Sequence, residues 1–137
     1  MEAPFHLSMP CLSVQKTKAF YIDVLGASLG RNTSGWVDIN LYGNQITFTK
    51  SGDFKFSYGN YRLGDFVIPA FHFGVLLGRE EWENVFSRIE KAEYQPTEKQ
   101  KFMNGSAGEH QSFFIKDPNG YTVEFKCFKT QAEIFKS

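Results

Sequence analysis

The stretch DPNGYTVEFKCF, residues 117–128, joins a turn to a strand. Asp-Pro-Asn-Gly is a typical turn sequence, because Pro fixes one backbone angle and Gly accepts the left-handed conformation. The residues that follow alternate between apolar and polar side chains: Tyr121, Thr122, Val123, Glu124, Phe125, Lys126 and Cys127. A period of two predicts a strand whose two faces differ in polarity. We therefore expect Glu124 to lie on the polar face of a sheet whose other face is apolar.

Upstream of this stretch, other segments have the periods of strands and helices. Four further strands are predicted, at residues 5–11, 36–41, 45–49 and 71–75. Two segments have the longer period of an amphipathic helix. Residues 13–26 form the first, with Ser13 placed to cap its start and Gly26 to end it, and residues 79–92 form the second. We expect both helices to cover the apolar face of the sheet.

The order of these elements repeats along the chain. Phe5-His6 opens one series of a strand, a helix and three strands, and Phe71-His72 opens another. A matching spacing ends each series: Gly43 then Thr47-Phe48, and Gly120 then Glu124-Phe125. This repeat predicts an α+β domain made of two βαβββ modules.

The repeat also sets the expected boundaries. We place module one at about residues 4–50, module two at about 70–129 and a C-terminal tail at 130–137. The connecting segment, 51–69, is longer than most connections and rich in aromatic residues. It is either a hairpin or lid whose aromatic side chains cover a ligand, or a hairpin that packs against its own domain or a dimer partner.

Size and charge exclude several classes of function. The 137 residues suffice for one domain whose core needs no disulfide and no structural metal. The 15 basic and 15 acidic side chains balance, so no global charge attracts the chain to nucleic acid or to anionic membranes. The sequence has no apolar run of the length of a membrane span and no secretory signal at its start. We expect a cytoplasmic protein that binds a small molecule, with Cys11 and Cys127 as buried free thiols.

Three side chains at polar strand positions carry metal-ligand chemistry: His6, His72 and Glu124. A lone strand His is more often a hydrogen-bonded or surface residue, and a lone strand Glu usually faces solvent. Their related positions in the two modules favour a common role instead. Two imidazoles and one carboxylate bind a divalent ion and leave coordination positions open, whereas a structural site is usually closed by four protein ligands. We therefore predict a divalent metal ion with open positions, and this ligand set does not distinguish iron, manganese, zinc, nickel and magnesium.

With these residues the chain resembles the vicinal oxygen chelate superfamily, the group of glyoxalases, bleomycin-resistance proteins and extradiol dioxygenases. The resemblance rests on three phrases: FYIDVLG at 20–26, FHFGV at 71–75 and DPNGYTVEF at 117–125. It implies paired βαβββ modules that form a cupped mixed sheet around a divalent ion, which chelates vicinal oxygens of a small substrate. It also implies that His6, His72 and Glu124 are the metal ligands.

One departure from the family's glyoxalase I pattern changes the expected chemistry. Glyoxalase I has a fourth ligand, a carboxylate, at the position that aligns with Thr47, and Gln45 lies on the same face. Neither side chain is a strong metal ligand. We therefore expect a dioxygenase-like metal enzyme that acts on a small oxygenated substrate. A drug-binding protein of the bleomycin-resistance kind without catalysis, and a thiol transferase or lyase, are the alternatives.

The resemblance further implies a homodimer, whose metal site lies either within one chain or across the interface. Substrate-pocket candidates lie at polar positions of module one: Ser8, Trp36, Asp38, Asn40, Gln45 and Thr47. His110 is a candidate general acid or base if the strand over 112–115 extends back to it. Otherwise its neighbours Gly105 and Gly108 predict an exposed loop.

Overall fold

The computed structural model describes residues 3–136. Three residues lie outside this range: Met1 and Glu2, at the start of the sequence where a secretory signal would begin, and Ser137, the end of the predicted tail. The chain forms two compact units: one holds the residues up to Ser57 together with Asp117–Gly120, and the other holds Tyr58–Lys116 and the residues from Tyr121 onwards. Each unit contains one four-stranded sheet. The architecture is α+β and repeats the series of strand, helix and three strands, as the sequence predicts.

The first unit contains the first such series. Its elements are β1 His6–Cys11, α1 Val14–Ala19, a π-helical turn Phe20–Val24, β2 Ser28–Asn32, β3 Trp36–Leu41 and β4 Asn44–Lys50. The sheet order is β1-β4-β3-β2, and β1 runs parallel to β4 while the other neighbours are antiparallel. Val37, Ile39 and Phe48 are fully buried on the apolar face. The predicted alternation therefore sets which side of this sheet forms the core.

The helix predicted over residues 13–26 is present, but its second half is π-helical. The Ser13 hydroxyl caps the start by accepting a hydrogen bond from the backbone N–H of Lys16. In the second half the N–H of Leu25 donates to the carbonyl of Phe20, five residues back, at 3.1 Å. Gly26 then ends the helical segment with a φ of 79°, a conformation that favours glycine.

The turn Asp117–Gly120 is held in the first unit by side-chain hydrogen bonds. The Tyr21 hydroxyl donates to Asp117 Oδ2 at 2.8 Å. The Asn119 amide donates to Thr17 Oγ1 at 3.1 Å, and both of these contacts are buried. A buried hydrogen bond of this kind contributes about 1 kcal/mol, and leaving one partner unsatisfied costs more. The Asp-Pro-Asn-Gly stretch is thus a turn that also binds the first helix.

The second unit contains the second series, preceded by a hairpin. Its elements are β5 Asn60–Leu63, β6 Phe66–Pro69, β7 Phe73–Leu76, α2 Arg79–Lys91, β8 Gln100–Phe102, β9 His110–Lys116, β10 Thr122–Phe128 and a 3₁₀ turn Gln131–Glu133. The sheet order is β7-β10-β9-β8, with β7 parallel to β10. The helix predicted over 79–92 is confirmed, and Trp82 on it donates a hydrogen bond from Nε1 to the carbonyl of Phe125 at 2.8 Å. This contact anchors α2 on the apolar face of β10.

The second part of the connecting segment, β5 and β6, forms a hairpin that packs against its own unit, whereas residues 51–57 belong to the first unit. The strand pairing of β5 with β6 places Tyr61, Leu63, Phe66 and Ile68 on one face. Ile68 is only 3% exposed and belongs to a small apolar cluster with Phe102 and Phe114. Packing of the hairpin against its own domain is one of the two arrangements that the sequence leaves open.

Two further expectations can be compared with the structure. Cys11 and Cys127 are buried free thiols, as predicted. In residues 3–136 no helix is both long enough and apolar enough to span a membrane.

Candidate metal and substrate site

His72 and Glu124 meet on the polar face of the second sheet. Glu124 lies on β10 with 9% of its surface exposed, and it is paired with Gly74 of β7. The strand predicted over 71–75 begins at Phe73 in the structure, so His72 lies directly before β7. The Nε2 atom of His72 lies 3.2 Å from Oε2 of Glu124. Two of the three predicted ligands are therefore brought together.

The ring of His72 is held in one orientation. Its Nδ1 atom lies 2.7 Å from the carbonyl oxygen of Pro69, at the end of the hairpin. Since a carbonyl oxygen only accepts, Nδ1 carries the proton and donates it. The edge of the ring also packs on Phe114, with centroids 5.3 Å apart. An Nδ1 donor to a backbone carbonyl is the usual support of a histidine that binds metal through Nε2.

The pair stabilises its own charges when no metal is bound. The hydrogen bond to Glu124 raises the pKa of His72 above its ordinary value, against the opposing effect of burial. Burial raises the pKa of Glu124, but the hydrogen bond with His72, together with Ser112 and Lys126, outweighs it, so the pKa of this carboxyl is lowered. In the metal-free protein the contact therefore favours the charged forms of both groups, an imidazolium and a carboxylate.

The geometry of this pair suits a divalent cation. Two ligand atoms that bind one ion at about 2.1 Å, with an angle of about 90° to 110° between them, lie about 3.0 to 3.4 Å apart. The distance from Nε2 to Oε2, 3.2 Å, falls in this range. Within residues 3–136, however, no three His, Cys, Asp or Glu side chains form a group that could hold a metal. Among the described residues, the second unit thus brings together two of the three predicted ligands.

His6 belongs to the first unit, where it is the first residue of β1 and is exposed. The strand pairing sets it beside Gln45 of β4. The metal-ligand role of His6 therefore rests on the family resemblance and stays a prediction.

Gly74 allows the close approach of β7 to β10 at this site. A Cβ atom at Gly74 would lie 1.7 Å from the carbonyl oxygen of Glu124, far inside contact distance. Only a residue without a side chain fits there. The sequence contains this glycine in the phrase FHFGV, but nothing in the sequence indicates which backbone it faces.

A cavity of about 440 Å³ in the second unit opens beside the pair. Its lining comprises Tyr61, Leu63, Gly64, Phe66, Ile68, His72, Phe102, Met103, His110, Phe114, Glu124 and Lys126. The inner face of the hairpin thus forms one wall. The hairpin therefore packs against its own unit and also lines a cavity with Tyr61 and Phe66, and that these side chains cover a ligand stays a prediction.

His110 lies at the end of this cavity that is distant from Glu124. The strand β9 extends back to His110, so the residue belongs to a strand and not to an exposed loop. Its Nδ1 atom lies 2.8 Å from the carbonyl oxygen of Gly108. The ring stacks on Phe102 at 5.2 Å and lies 4.9 Å from the ring of Phe128. The strand over 112–115 therefore extends back to His110, which is the condition that the sequence analysis set for His110 to reach a pocket.

The substrate-pocket candidates of module one form a separate polar network. Asp38 is 5% exposed, and its carboxylate accepts from Thr47 Oγ1 at 2.7 Å, from Gln45 Nε2 at 3.4 Å and from Arg31 Nε at 3.2 Å. A cavity of about 270 Å³ in the first unit is lined by Asp38, Asn40 and Gln45 among others. Thr47 donates its hydroxyl proton to Asp38, which orients its side chain toward that carboxylate.

Ser8 and Trp36 lie beside this network. Ser8 is paired with Thr47 across β1 and β4. Trp36 lies under the Arg31 guanidinium, 5.6 Å from the ring centroid.

Several residues in and around the cavity of the second unit were not predicted from the sequence. Lys126 lines this cavity and follows Glu124 by two positions, and Phe128, which contacts His110, follows it by four, so their location on the same strand face could have been predicted from the alternation. Phe102 comes from a strand of three residues, too short to show a period. The carbonyl of Pro69 could not be anticipated, because a backbone contact leaves no trace in residue type.

Solved structures with the same fold include three whose descriptions name a family or an activity. One is a glyoxalase/bleomycin resistance protein/dioxygenase from Alicyclobacillus acidocaldarius, with a TM-score of 0.80, 21% identity and coverage of 97% of this chain and 96% of that one. The second is the fosfomycin resistance protein FosX from Listeria monocytogenes, with a TM-score of 0.69, 16% identity and coverage of 97% and 98%. The third is the lactoylglutathione lyase from Agrobacterium tumefaciens, with a TM-score of 0.62, 17% identity and coverage of 93% and 94%.

At these identities the likeness establishes the fold alone. No curated protein matches the chain significantly. The family model of the Glyoxalase/Bleomycin resistance protein/Dioxygenase superfamily matches residues 4–125. That match covers most of the chain, including His6, His72 and Glu124. The chain therefore belongs to the glyoxalase/bleomycin resistance protein/dioxygenase superfamily.

Proposed function

We propose that the protein is a metal-dependent enzyme that acts on a small oxygenated substrate, with dioxygenase-like chemistry. The observation that supports this is the 3.2 Å approach of His72 Nε2 to Glu124 Oε2 beside a cavity of about 440 Å³. His72 and Glu124 would hold the divalent ion, with His6 as third ligand on the strength of the family pattern. When bound, the ion acts as a Lewis acid that lowers the pKa of two adjacent substrate hydroxyls, and iron would add redox chemistry with O₂.

The chain's own residues orient the ligands and exclude water. Pro69 keeps the proton of His72 on Nδ1, so that Nε2 becomes a ligand when it gives up the proton it shares with Glu124. Phe66 and Ile68 of the hairpin form an apolar wall over the cavity. Such a wall keeps water away from the reacting group and strengthens the electrostatic interactions inside.

His110 acts on the remote end of the substrate in this proposal. The Glu124 position lies four steps along the strand from Phe128, with which His110 is paired, and this corresponds to about 13 Å. That distance is too long for direct proton transfer to oxygens held beside Glu124. Because Nδ1 donates to Gly108, the Nε2 atom of a neutral His110 is an acceptor for a hydroxyl at the far end.

Metal titration of chelator-free protein tests the proposal. We expect about one divalent ion per chain, and we expect His72→Ala and Glu124→Ala to weaken binding by more than about 100-fold, since even supporting residues contribute 10- to 100-fold. His110→Ala is the matched control and should keep its metal. Full metal occupancy in both ligand variants would overturn the assignment.

We further propose that the chain forms a homodimer, and a mixing experiment then locates His6. One sample combines a His6→Ala protein with a Glu124→Ala protein. If His6 of one protomer completes the site of its partner, the mixed dimer regains one intact site of two and recovers metal binding. If each site lies within one chain, mixing recovers none. A monomer by light scattering that still holds metal would exclude the shared site and the dimer.

A binding protein without catalysis is the second candidate, favoured by the mostly apolar lining of the cavity and by the absence of a three-ligand group in residues 3–136. In that case an apolar ligand should bind equally well with and without a strong chelator.

Turnover that needs a thiol cosubstrate, and not O₂, would favour a transferase or lyase of the same superfamily.

A further inference from the structure

Lys126 lies beside the proposed metal ligands, and the function described above does not use it. It follows Glu124 by two residues on β10 and lines the same cavity. Its Nζ atom lies 3.8 Å from Oε1 of Glu124, whereas His72 approaches Oε2. Lys126 therefore contacts the carboxylate oxygen that His72 leaves free.

The charges around the cavity do not balance once a metal is present. Among the described residues that line it, Glu124 is the only carboxylate and Lys126 is the only lysine or arginine. A divalent ion and the ammonium group together exceed the single carboxylate by about two positive charges. Most of the remaining lining is apolar, so unpaired charge there is costly. A lysine at this position weakens metal binding unless an anion accompanies the metal.

The lining of the cavity also includes apolar surface that is open to contact. Tyr61 and Leu63 face the cavity from the hairpin but are 46% and 53% exposed. Elsewhere in the lining, the rings of Phe102 and His110 stack nearly parallel, at an interplanar angle of 18°. An apolar group placed here would remove these surfaces from water.

We propose that Lys126 binds the anionic group of the substrate, and that the substrate is a small organic anion with adjacent oxygens and an apolar body. This proposal rests on the proposed metal site. The adjacent oxygens lie at His72 and Glu124, the negative charge is shared between metal and Lys126, and the body covers Tyr61 and Leu63. Lys126 is thus a specificity-determining residue, which selects against neutral molecules of the same shape.

The test measures metal and anion affinity separately in the cobalt-loaded protein. The anions are phenylphosphonate and methylphosphonate, which share a charged group and differ in their apolar body. The variants are Lys126→Met, Lys126→Arg and, as a control of equal charge change on an exposed strand residue, Lys116→Met. Co²⁺ affinity is read from the visible absorption spectrum, and phosphonate affinity from calorimetry.

Opposite changes in the two affinities are expected for Lys126→Met. Phenylphosphonate should bind about tenfold to 100-fold more weakly, the range of a lost charge-assisted hydrogen bond. Co²⁺ should bind as tightly as in wild type or more tightly, because a like charge has been removed. Lys126→Arg should stay within about threefold of wild type, since it keeps the charge. Wild type should prefer phenylphosphonate over methylphosphonate by at least about tenfold, and Leu63→Ala should reduce that preference.

Each result supports or overturns a separate statement. Failure of wild type to bind Co²⁺ would refute the proposed function and, with it, the charge argument. Wild type that binds Co²⁺, with Lys126→Met equal to it in phenylphosphonate affinity, would refute the role of Lys126 alone. Loss of Co²⁺ binding in Lys126→Met would also overturn it. Equal binding of the two phosphonates to wild type would refute the apolar body.

Discussion

Gly74 is the position where one added methyl group should separate the two proposed metal ligands. The Cβ atom of an alanine there would lie 1.7 Å from the carbonyl oxygen of Glu124, and 2.6 Å and 2.9 Å from its carbonyl carbon and amide nitrogen. All three atoms are backbone, so no side-chain rotation relieves the clash. To reach ordinary contact at 3.4 Å, the methyl group must retreat by about 1.7 Å, and it carries β7 with it.

This retreat has two measurable costs. Overpacking and weakened strand pairing should lower the free energy of unfolding by about 2–4 kcal/mol in Gly74→Ala. For a chain of 137 residues that corresponds to a fall in Tm of about 7–14 °C. His72 lies two residues from Gly74, so its 3.2 Å contact with Glu124 should open by a similar distance and metal binding should weaken.

The assay is urea unfolding together with metal titration of the same samples. Gly59→Ala is the matched control, because a Cβ atom there meets no atom within 4 Å. Its stability and metal affinity should stay close to those of wild type. If Gly74→Ala equals wild type in both measurements, the close approach of the two strands is not what sets the site.

Three further outcomes are expected. In metal-free protein the raised pKa of His72 stabilises the fold below the ordinary histidine value of 6.5, and this stabilisation is lost as pH rises through the raised value. The lowered pKa of Glu124 stabilises the fold above the ordinary value of 4.5, and this stabilisation is lost as pH falls through the lowered value. The stability difference between wild type and His72→Gln should therefore be largest between these two values, and a difference that is flat from pH 4 to pH 9 in urea unfolding with chelator would contradict it. Tyr21→Phe, which removes the donor to Asp117, should lower stability by about 1 kcal/mol in urea unfolding, and an unchanged midpoint would show that this contact contributes nothing. The family resemblance aligns Thr47 with the fourth ligand of glyoxalase I, so glutathione-dependent methylglyoxal isomerase activity should be negligible even with nickel or zinc. Robust turnover that Glu124→Ala abolishes would show that three ligands suffice.

Local pattern was enough to predict most of the fold. The alternation over 36–41 and the helical period over 79–92 correspond to β3 and α2. These signals work because one face of each element is buried and the other is not. The π-helical turn Phe20–Val24 was not predicted, since its period differs little from that of an α-helix over five residues.

The site was predicted less completely, for physical reasons that differ from residue to residue. His72 and Glu124 were proposed from their residue types, and the structure brings the two side chains together, while their role as metal ligands stays a prediction. Gly74 acts through an absent side chain, and its partner is a backbone atom far along the chain. Asp38 occupies a polar position as expected but is buried, because side chains from two neighbouring strands saturate its carboxylate. Pairwise distances of this kind depend on the tertiary structure and leave no periodic trace.

The location of Asp117–Gly120 in the first unit distinguishes this chain from a simple tandem repeat. The polypeptide passes between the units three times, after Ser57, after Lys116 and after Gly120. A gene cut between the repeats would yield an N-terminal fragment in which Thr17 has lost the amide of Asn119. The first unit is thus encoded by two separated parts of the chain, so no single cut between the repeats yields both units complete.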